Sequence, residues 1–555
     1  MPPNRKRFRS NFNLGGEQAE ADPLLEYAFY ETGDYEAITS REDARCFLIG
    51  RTGSGKSATL QYLEDIMSGK VIRITPEDLS LPYIVDLSVI RHLDSLDINL
   101  DLLFIALWKH VLLVELIRHR YKVDSPVAKQ NFLANLREAV KRDPAKKEAL
   151  AYLDEFAGKF WCEADERVRE ITEKFERRID EAGKGHLGPS GASLDLNFGT
   201  GRTYGTEEKR ELVDRYQRVV NDTQLARLNK MIRVLDENIL DSPQHQTYVI
   251  IDDLDRDWVD ERLSNDLIRC LFRTVLDINR IRYLKVLVAL RTNIFRELDF
   301  GRTGGQEEKF RALVLQIRWN KLDLEGMLNL RAQIAGRRAG IALQSIHDLL
   351  PAPNRSRGDA LQYILDRTLM RPRDTISFFN ECLAVAAGSS QLTWPQIFEA
   401  ERAYSEKRLL ALRDEWKPTY PGIEDVFYAF TKTSMPLSKA LFTRYLDEVL
   451  LLHLEEKFQD HDWLKELAET SLYSSRRAGW AESYQPLIKM LFDIGFVGLA
   501  QTKKERVIYA QDNPRYADRL RNLEDASYFY VHPAYRSALE IRYDKRIWQK
   551  KDRDL

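Results

Sequence analysis

The sequence predicts an α/β fold in which helices wrap a parallel sheet, and three observations carry the prediction. An apolar run at residues 47–49 leads into Gly50-Arg51-Thr52-Gly53-Ser54-Gly55-Lys56-Ser57, after which Leu60, Leu63 and Ile66 recur at helical spacing. A second run, residues 248–251, is continuous, apolar and β-branched, and it ends in Asp252 and Asp253. A third, residues 284–290, is apolar except for Lys285 and ends in Arg291. Strands buried on both faces of a parallel sheet leave such near-continuous apolar runs.

The first segment has the G-x-x-x-x-G-K-[ST] pattern between a strand and a helix. Glycines let the backbone turn its N–H groups inward around a phosphate, and the following helix offers its positive end to the same anion. In that arrangement the backbone from Gly50 through Ala58 cradles a triphosphate, Lys56 reaches the β- and γ-phosphates, and the Ser57 hydroxyl ligates Mg²⁺. The alternative is a glycine-rich turn that matches by chance; the strand and helix on either side argue against it. Hydrolysis further requires an acid at the end of a neighbouring buried strand. In "TYVIIDDLDRDW", Asp252 is expected to hold the Mg²⁺ shell through water, and Asp253 to orient or deprotonate the attacking water. Asp255 and Arg256 follow at the mouth of the site. Arg291 or Asn293, after the third run, either senses a γ-phosphate or is an ordinary turn residue. "LMRPRDTISFFNE" sets Arg371 and Arg373 around Pro372 at a helix start, where a guanidinium reaches a phosphate across a cleft or is simply solvated on a surface turn. Of the two, Arg373 lies in the helical register. The fold class expected is thus a P-loop NTPase, with ATP and Mg²⁺ as its cofactors.

At 555 residues with 44% hydrophobic content, the chain is long enough for two to four domains with true cores. A formal charge of −2 excludes a globally basic nucleic-acid or membrane surface, so any basic patch has to be local. Cys46, Cys162, Cys270 and Cys382 are far apart and lack metal-ligand spacing, which reads as buried thiols in a reducing compartment. The start, "MPPNRKRFRSNFNLGG", has no apolar core, and residues 1–20 are expected to be a flexible basic terminus of a cytoplasmic protein. Residues 21–120 hold the first part of the core with the loop. Within them "LDLLFIALWKHVLLVELI" carries Asp101, Lys109, His110 and Glu115, too polar for a spanning helix and suited to burial inside a protein. Residues 121–245 form a helical insert. It holds a charged helix over residues 164–185, a Gly/Ser-rich break and a second charged helix over residues 206–240; this arm either meets a partner or is a packing excursion. Residues 246–335 return to the core, 336–417 form a helical lid, and the "KPTYPG" break opens a C-terminal domain over 418–555. There "PLIKMLFDIGFVGLA", "ERVIYAQD" and "SYFYVHPAYRSAL" read as helix, turn, strand, strand, helix, a winged-helix layout with Gly495 at the helix end and a wing near residues 502–506. The helix before the wing offers only Lys489 against Asp493, so contact with protein is at least as well supported as contact with DNA.

Taken together, the P-loop, "IIDDLDR", "ALRTN", "FRALVLQIRWNKLDLEGMLNLR" and "RPRD" resemble the bacterial KAP-like P-loop ATPases, relatives of the STAND and AAA+ class, in their soluble branch with a C-terminal winged helix. The likeness covers residues 20–545 and is weakest across 120–245. Membrane helices between the P-loop and the Walker B strand are usual in the family and absent here, so no membrane role is carried over. The resemblance implies an AAA+/STAND-like sheet and an ATPase that works as a conformational switch, closing on ATP against Arg371, Arg373 and the winged helix. It also implies a role in antiphage defence or stress signalling, as a homo-oligomer or with a partner effector protein. A DNA-associated loader and a nucleotide-binding scaffold with little turnover are the alternatives. The second acid, Asp253, speaks against the scaffold.

Overall fold

Three of the five strands in the main sheet are the apolar runs of the sequence. The computed structural model describes residues 7–75, 88–122, 126–141, 206–222, 225–254, 261–298, 307–355, 357–458, 461–472 and 479–543, with single positions at 147, 150, 151 and 177. Within these, β1 (Phe47–Gly50), β2 (Val71–Ile74), β3 (Thr247–Ile251), β4 (Leu284–Arg291) and β5 (Val314–Gln316) form one sheet in the order β2-β3-β4-β1-β5. Every pairing in it is parallel. One expectation needs correcting: the acid-bearing β3 is not the neighbour of β1, because β4 lies between them and pairs with both. Apolar runs identify strands but carry no information about which strand a given edge will bond.

This sheet belongs to a unit made of Glu31–Arg51 and Lys56–Ile317. Its helices include α1 (Gly33–Thr39), α2 (Lys56–Ile66), α3 (Asp101–Tyr121), α4 (Thr206–Asn221), α5 (Leu225–Val234), α6 (Glu261–Ile278) and α7 (Thr292–Glu297). The apolar stretch with scattered charges is α3, buried along nearly its whole length and packed against α4, α5 and α6. Its charges are tolerated because they are paired: Arg269 grips Asp101 with two bonds of 2.6 and 2.5 Å, and Lys109 Nζ donates to Asp277 and Asn229. The helix expected over residues 206–240 is two helices, α4 and α5, closed by a π turn at Leu235–Ile239. Tyr216, Val220, Leu228 and Met231 bury it in the core of the sheet unit, so this part of the insert packs. The charged helix at 164–185 and the Gly/Ser break lie outside the described residues, apart from Arg177, as do Asp255, Arg256 and Cys162. Cys46, Cys270 and Cys382 are buried free thiols. Lys285, on β4, donates to the carbonyls of Ala37, Ser40 and Asp43 and so ties the end of α1 to the sheet; burial lowers its pKa to about 8.

The second unit comprises Met1–Tyr30, Thr52–Gly55 and Arg318–Leu555. Its helices include α8 (Lys321–Ala339), α9 (Ala360–Leu365), α10 (Pro372–Val385), α11 (Trp394–Trp416), α12 (Lys439–Leu451), α13 (Asp462–Leu472) and α14 (Trp480–Asp493). The α8 helix, started by a capping box at Asn320 and Asp323, runs straight through the expected core–lid boundary at 335/336. The terminus expected to be flexible is packed from residue 7 onward: Phe8, Phe12 and Leu14 are buried in one core with Leu328, Phe379 and Leu383. Charges at its start masked an apolar stripe that needs a home.

Farther on lie β6 (Ser434–Met435), β7 (Leu437–Ser438), β8 (Val497–Ala500), β9 (Tyr528–Val531) and β10 (Arg542–Tyr543). Strands β7, β9 and β8 make an antiparallel sheet in that order, and β6 pairs with β10. The strand expected at "ERVIYAQD" reduces to one bridge, Leu499↔Ile508. On α14, Lys489 is tied to Asp493 at 2.6 Å and to Asp518 at 2.8 Å. Among the described residues no helix is long and apolar enough to cross a membrane.

Candidate functional site

The loop between β1 and α2 is built by two residues that only glycine suits. Gly53 and Gly55 have φ of 76° and 97°, left-handed values that cost an L side chain on the order of 1–2 kcal/mol. These turns bring the chain back so that α2 starts directly at Lys56, with Ser57 and Ala58 in its first turn. The first N–H groups of a helix have no partner within it and carry its positive partial charge. Lys56 Nζ donates to the carbonyls of Gly50 at 3.0 Å and Arg51 at 3.4 Å, which keeps an ammonium over the loop. Two further groups stand out. The hydroxyls of Thr52 and Ser54 are buried without a hydrogen-bond partner among the described residues, a state a folded chain tolerates where another acceptor or donor completes it.

At the carboxyl end of β3, Asp252 is 6% exposed, and its Oδ2 lies 3.5 Å from Arg73 Nη1 on β2. Arg73 also donates to Glu64 at 3.0 Å. The Asp252 carboxylate accepts the N–H of Asp253, whose backbone is left-handed at φ 61°. A non-glycine residue held there is strained, a condition that clusters at functional positions. Arg291 closes β4 and precedes α7, which carries Asn293 in its first turn. So β3 and β4 run in the same parallel sense, β3 leading into Asp252 and β4 ending at Arg291.

Thr52–Gly55, the tip of the loop, group with the helical unit because of what they touch there. Trp319 Nε1 donates to the Ser54 carbonyl at 2.8 Å. Arg371 Nη1 donates to the Thr52 carbonyl at 2.9 Å, and the Arg373 N–H lies 3.4 Å from the Gly53 carbonyl. The reading of the "RPRD" arginines as solvated surface groups therefore falls: Arg371 is 7% exposed and caps the start of α10, with Pro372 as its first residue. Burial works against the Arg371 charge, but Asp374 and Glu415 outweigh it and raise its pKa. For Arg373 burial prevails, joined by Arg371 and Arg408, and its pKa is lowered. Arg371, expected to touch a nucleotide, instead spends its guanidinium on Asp374, Glu415 and the loop backbone. Arg373 donates to the Glu17 carbonyl and lays its stem along Gly53. Trp319, Arg73, Glu17 and Arg408 were not singled out in the sequence, Trp319 although it lies in a quoted segment, because their partners in the loop, in Asp252 and in Asp374 lie far along the chain.

A Cβ on Gly53 would meet the Arg373 Cβ at 2.9 Å in addition to its backbone strain. Gly53→Ala should therefore loosen the loop by roughly 1–2 kcal/mol, seen as faster amide exchange over residues 50–57. Unchanged exchange would show that the loop adopts another backbone at no cost.

The sequence profile of a FunZ-associated C-terminal helical domain matches residues 322–413, the span from α8 through most of α11. It speaks for these helices and not for the sheet that bears the loop. No curated protein matches the chain.

Proposed function

We propose that the chain is a Mg²⁺-dependent ATPase of the P-loop NTPase class whose nucleotide state switches its conformation. The observation that supports this most is the loop itself: two left-handed glycines, a helix starting at Lys56, and two buried hydroxyls, Thr52 and Ser54, with no hydrogen-bond partner among the described residues. Such a cradle fits a polyphosphate, whose oxygens complete inward N–H groups and hydroxyls together. Mg²⁺–ATP, when bound, supplies the phosphoanhydride bond and a cation that offsets its charge. Ser57 and Asp252 offer hard oxygen donors of the kind Mg²⁺ takes in small number beside phosphate and water. Lys56 brings the fixed positive charge. Asp253, the partly buried residue after Asp252, accepts a proton from water or orients it. Arg373, whose side chain lies along Gly53, and Arg291 or Asn293, at the end of β4, are the groups we assign to registering a γ-phosphate.

Phosphate release from ATP, measured on the full chain, tests the reading. Asp253→Asn should bind ATP as wild type does and slow turnover by roughly 10²-fold, the lower range for loss of a positioned acid–base group. If the amide variant turns over at the wild-type rate, the role given to Asp253 is wrong. If wild type releases no phosphate above background, the chain is a nucleotide-binding scaffold.

A further inference from the structure

We infer that Arg371, Asp374, Arg408 and Glu17 form one positioning network that clamps the tip of the loop to the N-terminal segment, and that Arg371 acts on the loop backbone rather than on a phosphate. The inference rests on residues 50–57 being a nucleotide loop only where nucleotide is used to read it.

The network starts at Asp374, which is completely buried. Its carboxylate accepts from Arg371 Nε at 2.9 Å and Nη2 at 3.3 Å, from Arg408 Nη1 at 3.0 Å and from the Leu369 N–H at 3.1 Å. Four donors fill the acceptor capacity of a carboxylate, so the group has one orientation. That orientation fixes the planar fork of Arg371, whose remaining terminal nitrogen reaches the Thr52 carbonyl. On the other side Arg408 Nη2 donates to Glu17 Oε2 at 3.1 Å. Glu17 is itself held between two anchors. Before it, the Leu14 N–H and the Gly15 carbonyl both bond the Asn380 amide; after it, Asp22 pairs with Arg331 at 2.7 Å. Arg373 adds a second tie to the Glu17 backbone while pressing on Gly53. An unbroken chain of charge-assisted bonds thus runs from residue 17 to residue 52. A guanidinium whose fork is taken by a buried aspartate and whose free end is on a carbonyl serves as a strut. A phosphate sensor needs that end for the ligand.

Three conservative variants of the full chain separate the two roles: Arg371→Lys, which cannot keep the fork; Arg408→Lys; and Glu17→Gln, at a half-exposed side chain whose loss leaves the core intact. Hydrogen exchange without nucleotide should show peptides over 50–57 opening roughly tenfold faster in Arg371→Lys, about the effect of one lost charge-assisted bond, and a smaller rise in the other two. Exchange in β3 should stay as in wild type. With nucleotide, each variant should lose affinity for ATP and ADP by the same factor, because a clamp on the backbone does not distinguish the γ-phosphate. Unaltered loop exchange in Arg371→Lys and Glu17→Gln overturns the inference, and so does a loss confined to ATP. If exchange responds as expected but wild type binds no nucleotide, the network stands and the ATPase reading fails.

Discussion

Lys56→Ala is expected to remove saturable binding of a fluorescent ATP analogue. The lysine contributes twice. Its ammonium is the fixed cation at the start of α2, and its bonds to the Gly50 and Arg51 carbonyls hold the loop in the turn that presents the N–H groups. Hydrogen bonds to a charged group contribute about 1.5–3 kcal/mol each, so losing those to phosphate lowers affinity by ~10²-fold or more. Circular dichroism should be unchanged, since Lys56 is only half-buried. Titration of the variant at wild-type affinity would falsify the assignment of the loop to phosphate.

The second large effect is on stability. Asp374→Asn removes the one negative charge shared by Arg371 and Arg408, both nearly buried. Breaking a buried pair from one side costs about 3–5 kcal/mol, and because Arg371 keeps Glu415 and Arg408 keeps Glu17 the lower end of that range applies. Scanning calorimetry should show the loss as a lowered melting step. The pH dependence has a definite sign. Burial alone would raise the Asp374 pKa from 3.8, but Arg371 and Arg408 overcome it and hold the carboxyl at about 2. A depressed carboxylate stabilises the fold fully above its unfolded pKa and loses that contribution as pH falls from about 4 through 2. The wild-type margin over Asp374→Asn should therefore shrink on acidification across that window. A margin that is constant from pH 6 to 2 would mean that the carboxylate is not what the arginines bind.

The strands β1, β3 and β4 were legible because burial on both faces leaves them apolar nearly throughout, Lys285 being an exception that finds carbonyl partners, and the loop because its glycines and lysine stand at fixed spacing. Strands β2 and β5 were not: "VIRI" and "VLQ" are too short and too polar to stand out from loops. That β4 intervenes between β1 and β3 was equally hidden, since hydrogen-bond partners along an edge leave no periodic trace. In the candidate site, "RPRD" was visible as a helix start. Its destination was not, because the partners of Arg371 and Asp374 come from Thr52, Arg408 and, through Arg408, Glu17, and only the folded chain brings them to α10. Residues 7–14 were misjudged for a related reason: four basic residues nearby outweighed Phe8, Phe12 and Leu14 in a reading by charge, whereas the burial of two aromatics decides the outcome.

The burial of α3 bears on how the chain is made. Its apolar surface is covered by α4, α5 and α6, and the last of these ends at Ile278, some 150 residues after α3 is complete. At a synthesis rate of about 5–20 residues per second, the ribosome needs roughly 8–30 s to deliver that cover. Until α6 is made, "LLFIALW" and "VLLVELI" lack part of their cover, long after an isolated helix could form in under a microsecond. The apolar face of this helix therefore stays open to other apolar surfaces until the last of its cover, α6, is made.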